Sequence, residues 1–302
     1  METTTDKDFM PETPGVSKSR TFADKFSGFK TRFMIGFWLI VTGLIFFYLF
    51  NFLSSLYAIT RASESFYTIS VVGNHAVYTR VSERPESWIS LDKISKRLQQ
   101  AVISSEDGKF YEHPGYDLEQ LQDAIRDSFV YKKKMRGAST ITQQLIKNLY
   151  LSREKTFGRK SKEMLMSLMI ERYASKQKIL EMYLNVIEYG KGLYGIGAAS
   201  KYYFGKTPAQ LNARESAFLA MLLPSPVKYA KSFKNKTLTS FASRTINSIL
   251  LKMRQAGYIG ENEYLAQLDG HFSWEIIPEE VKDPGIVEES EEDLSIGADS
   301  EN

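Results

Sequence analysis

Leu91-Asp-Lys-Ile94-Ser-Lys-Arg-Leu98-Gln-Gln-Ala-Val102-Ile-Ser-Ser-Glu106-Asp107-Gly-Lys-Phe110-Tyr-Glu-His113-Pro-Gly115-Tyr-Asp117 is the stretch on which the fold turns. Leu91, Ile94, Leu98 and Val102 recur at helical intervals, which predicts a helix from about Ser90 with one apolar face. It ends on two adjacent acids, and a glycine-bearing loop with His113 and a third acid, Asp117, follows. A carboxylate closing an apolar helix can lose hydration, which raises its pKa toward the range useful for proton transfer. The plainer alternative is a helix end and a solvated turn, with His113 making a structural hydrogen bond. Glu106, Asp107 and His113 do not have the spacing of a metal site.

Working outward, further helical segments are expected at residues 118–131, 140–151, 159–174, 176–187, 193–203, 209–222 and 239–255, punctuated by glycines and by Pro208 and Pro224. Upstream, residues 66–81 alternate and are β-branched about Gly73-Asn74, a hairpin pattern. The fold class is therefore mainly α with a minor β element. Residues 33–59 contain no charge and are dense in Phe, Leu and Ile. At about 1.5 Å per residue they can cross a hydrocarbon core of roughly 30 Å. The run exceeds the apolar core of a signal peptide, about 7–15 residues, and Leu56-Tyr57-Ala58 is a poor cleavage site. Bases at Lys25, Lys30 and Arg32 predict a cytoplasmic N-terminus. The expected organisation is a cytoplasmic tail at 1–32, a membrane helix at 33–59 and a β/linker segment at 60–87. A folded body at 88–260, an extension at 261–278 and an acidic, disordered tail at 279–302 follow.

The net charge of +3 conceals an asymmetry. Residues 62–274 hold thirty-one Lys and Arg against twenty acids, while residues 275–302 hold eleven acids against one base. A basic body favours phosphates or acidic lipid headgroups; nucleic acid is set aside because the anchor places the body outside the cytoplasm. With no cysteine, disulfides, thiolate metal sites and cysteine nucleophiles are excluded.

Two more segments carry candidate chemistry. In Gly137-Ala-Ser139-Thr140-Ile-Thr142-Gln143-Gln144-Leu-Ile-Lys147-Asn148, Thr140 and Gln143 match a capping box. The same helix start offers hydroxyls, amides and N–H groups suited to phosphate or sugar oxygens. Arg159-Lys160-Ser-Lys162-Glu163 is read either as a surface ion pair or as a second carboxylate among bases, Lys155 included, that holds a diphosphate. Two carboxylates from separate segments suit glycosyl chemistry. Phe204-Gly205-Lys206-Thr207 fails as a P-loop because Ser200 stands where its first glycine belongs. Three Ser-x-x-Lys tetrapeptides lack a Lys-Thr-Gly partner, which argues against a transpeptidase.

Taken in order over residues 88–259, these blocks resemble the peptidoglycan glycosyltransferases. That family comprises the monofunctional biosynthetic transglycosylases and the N-terminal domains of class A penicillin-binding proteins. Lys178-Ile-Leu-Glu181-x-Tyr183-Leu-Asn185, Gly195-Ile-x-x-Ala-Ala199-x-x-Tyr-Phe-Gly205-Lys206 and Glu215-x-Ala-x-Leu-Ala-x-Leu-Leu-Pro224 extend the resemblance. It implies a lysozyme-like helical lobe beside a smaller membrane-proximal lobe, preceded by one transmembrane helix in a bacterial inner membrane. It also implies lipid II as substrate: the growing chain is donor, and the 4-hydroxyl of the incoming disaccharide attacks with inversion. Carried over by position, Glu106 is the general base, and Glu163 is a second acid acting directly or through a divalent cation, Mg or Mn. Ser139, Thr140, Gln143, Lys147 and Lys155 line the donor. Asp107, Phe110, His113, Arg159 and Lys160 support the site, and Glu181, Tyr183 and Asn185 hold helices together. Lys155 stands where the family usually has Arg, which keeps the charge and loses the bidentate fork. Expected partners are lipid II, the glycan strand, the membrane and other wall-synthesis proteins, with no organic cofactor. A lytic, lysozyme-like enzyme and a non-catalytic scaffold are the rival readings.

Overall fold

The uncharged apolar run forms part of one helix, α1 (Phe22–Thr60), in a computed structural model that describes residues 22–73, 75–129, 139–151 and 156–276. The chain divides into two units, Met1–Ser55 and Leu56–Asn302. In the first, α1 continues N-terminal of the uncharged run, because nothing in Phe22–Arg32 breaks a helix. Its segment Arg32–Thr60 is 29 residues long, and its most apolar 18-residue window has mean hydropathy 2.3, long and apolar enough to cross a membrane.

The second unit opens with the expected hairpin. Strand β1 (Phe66–Val72) pairs antiparallel with β2 (His75–Val81), from Phe66 opposite Val81 to Val72 opposite His75. Gly73, at φ +63°, supplies the left-handed turn residue. The predicted start of the next helix shifts. Leu91–Lys93 is a single 3-10 turn, and α2 (Lys96–Glu106) begins after Ser95, whose hydroxyl accepts the Arg97 N–H. Ile94, Leu98 and Val102 are buried as the periodicity requires.

Helices α3 (Leu118–Phe129), α4 (Ile141–Tyr150), α5 (Phe157–Tyr173) and α6 (Lys176–Val186) follow. Thr140, Thr156 and Ser175 cap the last three, each worth about 1 kcal/mol. The helix expected over 193–203 splits. Leu193–Tyr194 is strand β4, paired with β3 (Glu188–Gly190), and only Ile196–Phe204 is helix α7. Gly195 makes the junction at φ +79°, where an added Cβ would stand 2.7 Å from the Asn185 carbonyl oxygen. Only glycine permits that turn and that approach.

Helix α8 (Ala213–Leu222) is buried along its whole length and forms the centre of the body. It is followed by α9 (Pro226–Tyr229), α10 (Lys231–Asn235), α11 (Ser240–Gln255) and α12 (Glu261–Leu268). Helices α2 and α11 pack on α8, and α4 packs between α5 and α6. Of the buried charges of α8, Glu215 meets Lys206 at 2.6 Å, and Arg214 donates to the Gln267 backbone carbonyl at 2.8 Å. The unit is thus mainly helical with two small hairpins. The expected acidic tail lies outside the described residues.

Candidate active site

Two helix ends, the C-terminus of α2 and the N-terminus of α4, meet at Asp107. The carboxylate is buried; one oxygen accepts the Ile141 N–H at 3.0 Å, and the other meets His113 Nε2 at 2.8 Å. A carboxylate at the first turn of α4 takes up an otherwise unpaired amide and faces the positive end of the helix dipole. Gly115 N–H donates to His113 Nδ1 at 3.2 Å, so Nδ1 is the acceptor and Nε2 carries the proton directed at Asp107. That tautomer makes His113 a brace. Gly115 has φ +92°, and a Cβ there would lie 2.7 Å from the Ser167 carbonyl oxygen on α5. Its own carbonyl accepts from Thr140 Oγ1 at 2.8 Å. The loop after α2 is thereby fixed against α4 and α5.

Glu106, at the last residue of α2, is half-buried. Burial pushes its carboxyl above the ordinary carboxylate value; hydrogen bonds from Gln144 and Ser105 and the charge of Lys252 partly offset this, and Asp107 adds to it. Gln144 Nε2 donates to Glu106 Oε2 at 2.8 Å, and Tyr183 Oη donates to Gln144 Oε1 at 2.8 Å. The fully buried Tyr183 thus orients the amide that orients Glu106.

The second acid has different neighbours. Glu163, 2% exposed, meets Arg159 Nη1 at 2.7 Å through one oxygen and Lys160 Nζ through the other. Lys160 Nζ also donates to Ser139 Oγ at 3.2 Å, tying α5 to the residue before the α4 cap. Arg159 Nε is buried without a partner among the described residues. These groups leave Glu163 one negative charge against two positive. Both its oxygens thus face cations, and no three carboxylate or imidazole groups converge among the described residues.

Thr140 and Gln143, expected to line the donor, are buried and form the capping box. The Thr140 hydroxyl accepts Gln143 N–H at 3.1 Å, and Gln143 Oε1 accepts Thr140 N–H at 3.1 Å. Those atoms serve the fold. Lys147 stands exposed one turn beyond Gln143, and Lys155 lies outside the described residues. Phe110 is buried under the Lys176 ammonium, 4.4 Å from the ring centroid. Lys176 pairs with Glu171 at 2.8 Å, and Glu171 accepts from Thr142 at 2.6 Å, a support that sequence reasoning missed. Glu181 and Asn185, expected to hold helices together, instead fasten the segment before α2 to α6: Trp88 Nε1 donates to Glu181 at 2.9 Å, and Asn185 bonds both backbone groups of Ile89 at 2.8 Å. Tyr183, expected to hold helices together, ties α6 to α4 through Gln144 and so also belongs to the Glu106 chain.

A family model described as Transglycosylase matches residues 74–254. A biosynthetic peptidoglycan transglycosylase of Haemophilus influenzae is 44% identical over 182 residues, 60% of this chain and 71% of that protein. Another, from Janthinobacterium sp., is 40% identical over 169 residues, 56% of this chain and 71% of its own. The crystal structure of penicillin-binding protein 1A from Haemophilus influenzae aligns with 65% of this chain and 19% of its own. There the identity is 22% and the TM-score 0.34, too loose a likeness to inform the fold.

Proposed function

We propose, from the premise that the chain belongs to the transglycosylase family, that it lengthens peptidoglycan strands from lipid II with inversion and release of polyprenyl diphosphate. Glu106 takes the proton of the acceptor 4-hydroxyl as the oxygen bonds to the donor anomeric carbon. The bond from that carbon to the diphosphate breaks, and its electron pair leaves on the phosphate oxygen. The observation that carries this reading is the Glu106 carboxyl itself, raised by burial and aimed by Gln144. A raised pKa makes the ionised form a stronger base.

Charge neutralisation falls to Lys160 and Arg159, and Lys147 of α4 adds a further cation to the donor side. Glu163 keeps the two α5 cations in place and lowers the local surplus to one positive charge. Such fixed charges need little reorganisation as the leaving group forms. The apolar helix anchors the chain in the inner membrane with its N-terminus cytoplasmic, which holds the body at the surface where a polyprenyl substrate resides.

The test is polymerisation of labelled lipid II by the detergent-solubilised full chain and its Glu106→Gln variant. A ladder of lengthening glycan from the first and at least about 10²-fold less from the second support the reading. Shortening of preformed glycan would favour a lytic enzyme, and equal products from both proteins would remove Glu106 from the chemistry.

A further inference from the structure

The α7–α10 side of the body carries a pocket apart from the residues assigned to the transfer. Its volume is about 380 Å³, and its walls include Tyr202, Tyr203, Val227 and Phe233 together with the exposed Lys191 and Lys234. Between residues 188 and 236 there are eight Lys and Arg against two acids. Both acids are engaged: Glu188 accepts the Gly192 N–H at 3.0 Å, and Glu215 holds Lys206. Lys191, Lys201, Lys231 and Lys234 have no ion-pair partner among the described residues. An aromatic hollow set among uncompensated ammonium groups calls for an apolar ligand flanked by acids.

The chain itself contains one. Residues 277–302 hold ten acids against Lys282, and Ile286-Val287 sits between Asp283 and the run Glu288-Glu289-Ser-Glu291-Glu292-Asp293. The described chain also ends beside the pocket. Ile276 N–H donates to the Lys236 carbonyl at 2.8 Å, and Lys236 is the residue just after α10, which supplies Phe233 and Lys234. Three residues of chain span no more than about 11 Å, whereas the ten from Ile276 to Ile286 reach up to about 33 Å.

We propose that the acidic segment folds back on this face. Ile286 and Val287 enter the pocket, and Asp283 and the following glutamates lie opposite Lys191, Lys231 and Lys234. Each exposed pair is weak alone, but the tether supplies an effective concentration on the order of millimolar, which makes several weak pairs sufficient. The docked segment shields a basic, aromatic face from other anionic partners, acidic lipid headgroups and acidic proteins included. Salt loosens it, because exposed pairs are screened beyond about 8 Å at physiological ionic strength.

Zero-length carbodiimide cross-linking of the full chain in neutral detergent, read by peptide mass spectrometry on a mixture of isotopically light and heavy protein, tests this. The expected result is light–light and heavy–heavy links from residues 283–293 to Lys191, Lys231 and Lys234. Their yield should fall on the order of fivefold in molar salt. An Ile286→Asp, Val287→Asp double variant keeps every acid and should lose the same links, since its apolar pair no longer fits the pocket. Links spread over lysines across the body, links mainly between light and heavy chains, or undiminished links in the double variant would each overturn the proposal. Absence of links from the segment to these lysines, as a segment serving a separate basic partner would give, would overturn it as well.

Discussion

Glu106 faces a neutral amide, whereas both oxygens of Glu163 face cations. Each sits on a helix, each is at least half-buried, and their surroundings give them different work. Around Glu106 burial dominates and raises the carboxyl, so this group can take up a proton. Around Glu163 an arginine and a lysine consume the charge, so this group organises cations that a diphosphate can use. Two carboxylates on one scaffold thus divide into base and cation holder through neighbours alone.

The sharpest way to break that division is to neutralise each acid in turn. Glu106→Gln is expected to lower turnover by at least about 10²-fold while the fold persists. Its stability effect follows from the raised carboxyl. The folded state binds that proton more tightly than the unfolded chain, so the ionised group destabilises the fold as pH rises above the ordinary value of 4.5. Urea unfolding should therefore show Glu106→Gln gaining on the wild type between acid and neutral pH. Glu163→Gln leaves two cations without their carboxylate and should cost roughly 2–3 kcal/mol, tempered because Lys160 is 45% exposed. Similar stability in both variants would erase the distinction.

A stability cost of the same order, with no change of charge at the cations, is expected at the brace beside the base. Asp107→Ala strips His113 and the Ile141 N–H of their shared acceptor, both in a buried setting. The cost should be about 2–3 kcal/mol, visible as a lower midpoint in thermal unfolding. The smallest change is Tyr183→Phe, which removes one hydroxyl from Gln144 and should cost about 1 kcal/mol of stability. Because Gln144 then loses its orienter, turnover should fall by a few-fold with KM little changed; a change confined to KM would assign Tyr183 to substrate binding instead.

Local signals carried much of this far. The apolar face of α2, the Thr140–Gln143 capping box and the Phe66–Val81 hairpin are patterns of neighbouring residues, and each is present in the structure. The pairing of Glu163 with Arg159 and Lys160 is likewise helical spacing. What spacing could not reveal lies between distant segments. Tyr183 reads as one more core position of α6, and only the packing of α4 on α6 brings its hydroxyl to Gln144, 39 residues away. The strand at Leu193–Tyr194 hides inside a helical pattern because its partner and its Gly195 turn depend on the Asn185 carbonyl. Thr140 and Gln143 suggested ligands by their chemistry, yet the same atoms complete the cap and the Gly115 contact.

The pH dependence of kcat/KM for lipid II polymerisation, compared between wild type and Gln144→Ala, tests Glu106 as the base most directly. Ionised Glu106 is the active form, so the rate should fall on the acid side through an apparent pKa above the ordinary carboxylate value. The Gln144 hydrogen bond lowers that pKa, so its removal should move the acid limb to higher pH. An acid limb at the same pH in both proteins, or one that survives in Glu106→Gln, would contradict the account.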